Sequence, residues 1–302
     1  MPFLTIFSAP KAFSDPHIAT IQKNAIRSWL NLGNEVQVVL IGDEPGLADV
    51  ARELNVHLYS QVIRNSSGTP LVSSIFQLGR ETSQGPFVLY TNADILMLPE
   101  IVEATHLVAS SLGYFLMVGQ RWDLDVREEL DFSPGWDQRL KAEVHARGEM
   151  HTPSGSDFFI FPRSLFNQIP DFAIGRAGWD NWMIYHARHN KWPVIDVTPS
   201  AMVIHQAHDY RHLPDGRPHY ELPESRLNQD LAGGSSNLYM VLDSDRQLVN
   251  GKIQRPPLTL VRALRRSEVW LTPPDGNRDG LRWSLARQAR RLRRRLTGSL
   301  QD

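Results

Sequence analysis

The sequence predicts an α/β fold with a mainly parallel central sheet, helices on both faces, and a basic helical tail. Short apolar runs of strand length alternate with amphipathic stretches of helical period through the first hundred residues. Such alternation is the pattern of strand–helix–strand crossovers. The 302 residues are 41% hydrophobic and 22% charged, enough to bury a large core without covalent staples. Residues 255–302 carry twelve arginines against four acids, although the whole chain has a net charge of only −1. The body is therefore acidic and the tail basic.

Element by element, Phe3–Ser8 is a buried strand stopped by Ala9-Pro10. Pro16–Leu32 is a helix with Asp15 as N-cap, Pro16 at its first position and Gly33 as its stop. Val36–Ile41 is a strand, Leu47–Leu54 a short helix and Val56–Tyr59 a strand. Thr69–Thr82 is a helix with Pro70 in its first turn, and Phe87–Thr91 is the fourth strand. The second half is less regular. Tyr114–Val118, Phe158–Phe161, Val194–Val197 and Ala201–Ile204 are strands, and Trp179–Asn190 is a helix. Leu124–Met150 is polar and partly helical. His205–Pro223 is loop-like, Gly233–Ser236 a flexible joint, and Leu238–Leu242 with Gln247–Ile253 a hairpin. Arg255-Pro256-Pro257 divides a unit of residues 1–254 from the tail of 255–302.

Several function classes are excluded. With no cysteine there is no disulfide, thiol catalysis or iron–sulfur cluster. There is no GxxxxGK[ST] loop, no GxGxxG, no GxSxG and no HExxH. An acidic body argues against a nucleic-acid enzyme. No signal peptide and no membrane span is expected, so a cytoplasmic place is.

Ligands of parallel sheets gather outside the carboxyl ends of the strands. That rule selects Ser8-Ala9-Pro10, Asp43-Glu44 and Asn92-Ala93-Asp94. The last follows a hydrophobic strand and carries a carboxylate of the kind that holds a divalent ion against substrate phosphates. In Gly175–Trp182 an acid, Asp180, opens a helix between Trp179 and Trp182, beside Asn181. Such a carboxylate accepts the proton of an attacking hydroxyl, and tryptophan faces stack on sugar rings. Capping of the helix is its structural alternative. His186 and His189, spaced i, i+3, are solvated helix residues on this reading.

The ordered set resembles the GT-A glycosyltransferases, the nucleotide-diphospho-sugar transferase superfamily, over residues 1–210. The hallmark of that family is a DxD motif at a strand end, and here it stands as Asn92-Ala93-Asp94. The resemblance implies a Rossmann-like GT-A fold and transfer of a sugar from a nucleotide-diphosphate donor to a hydroxyl acceptor. It implies Mn²⁺ or Mg²⁺ held by Asp94 with a late-strand histidine, His205 by position or else His208. It places Ser8, Ala9, Pro10, Asp43, Thr69, Ser73, Asn92 and Ala93 around the nucleotide. Ser156 and Asp157 fall in the donor-sugar pocket, with Asp180 as acceptor-side base. Arg64, Arg121 and Arg176 are candidates for steadying the diphosphate. The acceptor is expected to be a carbohydrate or lipid-linked, in cell-surface or exopolysaccharide assembly.

Other readings remain open: a sugar-phosphate nucleotidylyltransferase, a non-catalytic sugar-nucleotide-binding or membrane-associated protein, and a metallohydrolase built on His205–His219. In the tail, Leu281, Leu285, Ala289, Leu292 and Leu296 form one helical stripe among arginines. That pattern suits an anionic membrane surface over residues 281–296.

Overall fold

The computed structural model describes residues 1–208, 222–273 and 279–298. Strands β1 (Leu4–Ser8), β2 (Val36–Ile41) and β3 (His57–Tyr59) run parallel, joined by helices α1 (Pro16–Leu30) and α2 (Leu47–Glu53). Asp15 caps α1 by accepting from the Ile18 N–H at 2.9 Å. Helix α3 (Val72–Thr82) leads into β4 (Phe87–Thr91), which lies parallel to β1 on its other side. Helix α3 begins three residues later than Thr69. Thr69-Pro70-Leu71 is held extended, with Leu71 donating to the Ile63 carbonyl and bridging Ala173. Gly79 lets α3 settle onto β1, since a Cβ there would collide with the Phe7 ring.

After β4 come β5 (Ile95–Met97), α4 (Glu100–Ser111), β6 (Leu116–Val118), β7 (Trp122–Leu124), α5 (Trp136–Arg147) and β8 (Glu149–Met150). Then follow β9 (Phe158–Pro162), α6 (Trp179–His189), β10 (Val194–Asp196), β11 (Val203–Gln206), α7 (Pro223–Leu231), β12 (Arg246–Val249) and β13 (Lys252–Gln254). The main sheet runs β13-β12-β10-β6-β9-β4-β1-β2-β3. Strand β9 is antiparallel to both β4 and β6, and β13 to β12; the other pairings are parallel. A smaller sheet, β5-β11-β7-β8, stands beside it. A hairpin of Leu238–Leu242 with Gln247–Ile253 does not form. Val241–Asp243 is instead a 3₁₀ turn closed by Asp243 on the Met240 N–H. The hairpin is β12–β13 alone, turning at Asn250-Gly251, both at positive φ, the geometry such a pair favours.

One face of the main sheet packs Leu4, Ile6, Leu89 and Ile160 against Trp29 and Ile26 of α1. The other packs Phe7, Tyr90, Phe159 and Phe161 against Phe76 of α3 and Trp179 and Met183 of α6. Burial on both faces explains why these strands read as continuous apolar runs rather than alternating ones.

The tail forms α8 (Leu260–Leu271) and α9 (Gly280–Leu296). Among the described residues no helix is long and apolar enough to cross a membrane. Polar ties fix α8 to the body. Arg262 pairs with Asp196 at 3.2 Å and Arg265 with Asp243 at 2.7 Å. Glu268 receives Arg265, Arg290 and Arg293 at 3.1, 2.7 and 2.9 Å. Removing one member of a buried ion network strands the other charges, at a cost of about 3–5 kcal/mol. Glu268→Ala should therefore lower stability by about that amount, read as a shift of the urea midpoint at unchanged slope.

Candidate functional site

The carboxyl ends of β1, β2 and β4 meet on one rim of the main sheet. There Ser8 is fully buried and donates to the Thr91 carbonyl at 2.6 Å, joining the Ser8-Ala9-Pro10 loop to the end of β4. The next residue, Lys11, is held by Gln22. Its N–H donates to Gln22 Oε1 at 2.7 Å, and Gln22 Nε2 donates to its carbonyl at 3.0 Å. The clamp leaves the Lys11 ammonium 3.6 Å from Asp94 Oδ2 and 3.2 Å from His208 Nε2.

Asp94 is 8% exposed. Its backbone carbonyl accepts from the Gln206 N–H at 3.1 Å, tying the turn after β4 to the end of β11. One carboxylate oxygen pairs with His208 Nε2 at 3.1 Å. The other is buried and has no hydrogen-bond partner among the described residues. Burial alone would raise this carboxyl. The hydrogen bond from His208 and the charges of Lys11, His205 and His208 outweigh it and hold the carboxyl well below the usual carboxylate range.

Asp94, His205 and His208 each offer a ligand atom, all within 4.8 Å of one another. His205 Nδ1 lies 2.9 Å from Asp123 Oδ1. A carboxylate only accepts, so Nδ1 carries the proton and Nε2 is the nitrogen left to ligate. A carboxylate with an unused buried oxygen and a histidine oriented by a second carboxylate fit a divalent cation. Both histidines are brought in, where the sequence offered them as alternatives.

Asn92 is committed within the protein. Its Nδ2 donates to Asp157 Oδ1 at 2.9 Å, its Oδ1 accepts from the Tyr90 hydroxyl at 3.0 Å, and its N–H donates to the Asp157 carbonyl at 3.1 Å. Asp157 also accepts from Arg121 at 2.6 Å, and Arg121 Nε donates to Asp123 at 3.0 Å. Asp123 further accepts from His151 at 2.8 Å. Burial would raise Asp123, but its bonds from His151 and His205 and the Arg121 charge hold it well below its ordinary range. Ser156 is buried and hydrogen-bonds to Gly119 and Phe158, stapling β6 to β9.

Asp180 lies in the first turn of α6, behind Gly178 at φ +110°. Loop residue Gly155 closes on it, since a Cβ there would stand 2.8 Å from Asp180 Oδ2. Burial pushes the Asp180 carboxyl up to about 6; backbone N–H groups, Asn181 first, oppose the rise and the Asp157 charge adds to it. Asn181 ties loop to loop, donating to the Ser154 carbonyl at 2.9 Å and the Tyr239 carbonyl at 2.6 Å. Trp179 and Trp182 are 5% and 7% exposed. Trp179 meets Tyr90 edge-on at 5.2 Å, and Trp182 meets Phe172 at 5.3 Å. Both indoles are core rings rather than the open stacking faces the sequence suggests, because the apolar side of α6 turns inward. His186 likewise packs on Trp182 and Phe166, and burial lowers its pKa.

Asp43 and Glu44 follow β2 and share Arg64, with Glu44 at 2.8 Å. Thr69 donates its N–H to Asn65 Oδ1 at 3.0 Å, and Asn65 Nδ2 donates to Glu224 at 2.7 Å. Glu224 also takes Arg176 at 2.7 Å, so Arg64, Arg121 and Arg176 are each engaged with acids. Ser73 donates to Asp171 at 2.6 Å. His212 and His219 of the metallohydrolase reading lie outside the described residues. Lys11 follows the first strand as a lone lysine, and nothing in the sequence marks Asp123 or His151. They sit on short or irregular segments where no periodicity marks them.

No protein-family model matches the chain, and no curated protein matches it. Among solved structures the chain is similar to Staphylococcus aureus TarS 1-349 in complex with UDP-GlcNAc. That match has a TM-score of 0.52 at 14% identity and covers 89% of this chain and 70% of that one. In another structure of TarS 1-349 the chain spans 60% of that protein's length. It is also similar to Mycobacterium tuberculosis glucosyl-3-phosphoglycerate synthase in complex with Mn²⁺, UDP and phosphoglyceric acid. There the TM-score is 0.48 at 15% identity, covering 85% and 88% of the two chains. The likeness is one of fold, the GT-A fold.

Two consequences are measurable. Asn92→Asp restores a DxD pattern yet puts a carboxylate against Asp157. It should cost about 1.5–3 kcal/mol of stability, seen in chemical unfolding. Asp180 has its folded pKa above the ordinary unfolded value, so the folded state binds the extra proton and stability falls as pH rises from about 4 to 6. The stability gain of Asp180→Asn over the parent should grow through that window and then level off, followed by unfolding midpoints against pH.

Proposed function

We propose that the protein transfers a sugar from a nucleotide-diphosphate donor to a hydroxyl acceptor, with a divalent cation at Asp94, His205 and His208. The observation that carries this reading is the convergence of those three side chains at the carboxyl end of β4 in a GT-A sheet. The UDP-GlcNAc complex of TarS, similar in fold, supports a nucleotide-sugar donor.

A bound cation would supply positive charge to the departing diphosphate. Two imidazoles and one carboxylate favour Mn²⁺ over Mg²⁺, which prefers an all-oxygen shell. Lys11, fixed by Gln22, places its ammonium beside the same carboxylate. Ser8-Ala9-Pro10, Asp43 and Thr69 form the nucleoside side, with Ala93 beneath. Asp157, oriented by Asn92 and Arg121, accepts from donor-sugar hydroxyls. Asp180, mostly ionised at neutral pH with its pKa near 6, takes the proton of the attacking acceptor hydroxyl, a role worth about 10²–10⁴ in rate. Residues 1–254 form the catalytic unit and 255–302 a basic helical appendage. A carbohydrate or lipid-linked acceptor in cell-surface polysaccharide assembly suits this arrangement.

The test is a thermal-shift series of nucleotide-diphosphate sugars with Mn²⁺, with Mg²⁺ and with chelator. One donor should raise the unfolding temperature in Mn²⁺, less so in Mg²⁺, and Asp94→Ala should abolish the shift. Asp180→Asn should keep the shift while lowering turnover at least a hundredfold. A donor shift indifferent to chelator and to Asp94→Ala would remove the metal from the reaction.

A further inference from the structure

The C-terminal helices are amphipathic in the reverse of the usual sense. Their polar sides face the protein: Arg262, Arg265 and Glu268 of α8 and Arg293 of α9 are buried. The leucines of α9 and Trp270 of α8 face out. Leu281 is 77% exposed, Leu285 41%, Leu292 46% and Leu296 50%, with Trp270 at 74%. Successive gaps of four, seven and four residues keep the four leucines within about 60° of one another around α9. Arg295 and Arg291 flank this stripe on one side, about 40° and 80° from its edge, with Arg287 and Arg294 further round the helix. Arg282 lies on the other, its guanidinium over the Trp270 ring at 5.9 Å. Helix α9 contains no acidic residue.

A leucine stripe left outside water-soluble packing needs a cover, and its rim decides which. Two copies of the chain joined on this stripe would bring arginine against arginine with no acid between them. A bilayer carrying anionic headgroups meets both demands, with acyl chains for the leucines and phosphates for the arginines. The acidic body would be repelled by the same surface, which leaves the helical pair as the face that points toward it. Glu268 holds the pair in this pose by occupying Arg265, Arg290 and Arg293, so that the remaining arginines and the leucines face outward together.

We infer that α8 and α9 form a docking face for an anionic phospholipid bilayer, with the Leu281–Leu296 stripe at the acyl boundary and the flanking arginines on headgroup phosphates. The surface is independent of the transfer reaction, since it stands on the tail alone.

The experiment uses the full chain in co-sedimentation with vesicles of phosphatidylcholine, alone or mixed with phosphatidylglycerol. The protein should bind the mixed vesicles and not the neutral ones, with affinity falling as salt rises. Leu285→Asn/Leu292→Asn should weaken binding at least tenfold. Arg291→Gln/Arg295→Gln should weaken it by about twenty-five-fold, at about fivefold per basic residue. All four side chains are exposed, so circular dichroism and donor-induced thermal shifts should match the parent. Absent or charge-indifferent vesicle binding, or a leucine variant that binds like the parent, overturns the inference. A doubled molar mass in light scattering that the leucine pair reduces to one chain, without vesicle binding, assigns the stripe to a second copy instead.

Discussion

Asp94 is a carboxylate removed from water at the end of a buried strand. An uncompensated charge in that position is costly, and the nearby groups answer it. Gln22 fixes Lys11 beside it, Gln206 draws the end of β11 to its backbone, and His208 reaches its Oδ2. What stays unmet is a single buried oxygen. A buried carboxylate with one acceptor to spare is suited to a further cation and the anion that comes with it.

Orientation is transmitted to this point by hydrogen bonds rather than by apolar packing. Tyr90, Asn92, Asp157, Arg121, Asp123 and His205 form one continuous chain of bonds from β4 through β9 and β7 to β11. Asn92 is the only one of these that must donate and accept through the same side chain. An amide can do both, whereas an aspartate could not donate to Asp157. An asparagine at position 92 is thus a requirement of the network. It leaves the set at Asp94 with one carboxylate and two imidazoles.

The tail reverses the ordinary logic of amphipathic helices. A surface helix usually buries its leucines and shows its charges. Here the inward side is an ion network centred on Glu268, and the leucines are outside. Arginine stems add apolar contact of their own while their heads pair. The two helices are thus seated largely through charged side chains, with the leucines of α9 left outside.

Much of the sheet was legible because its strands are buried on both faces and therefore read as apolar runs closed by Pro, Gly or Asn. The N-cap at Asp15 and the strand-end position of Asp94 were visible for the same local reason. The β12–β13 hairpin was misread because Leu238–Leu242 is apolar enough for a strand. Its fate depends on Asp243 bonding the Met240 N–H, which only the folded turn reveals. Trp179 and Trp182 looked like sugar platforms because composition does not say which side of α6 meets the sheet. Strand–helix order and the carboxylates at strand ends are written locally, in period and punctuation. The convergence of Lys11, His205 and His208 on Asp94, and the pairing of Asn92 with Asp157, arise on folding alone. Those contacts join segments 65 to 197 residues apart, and no local pattern encodes the distance between them.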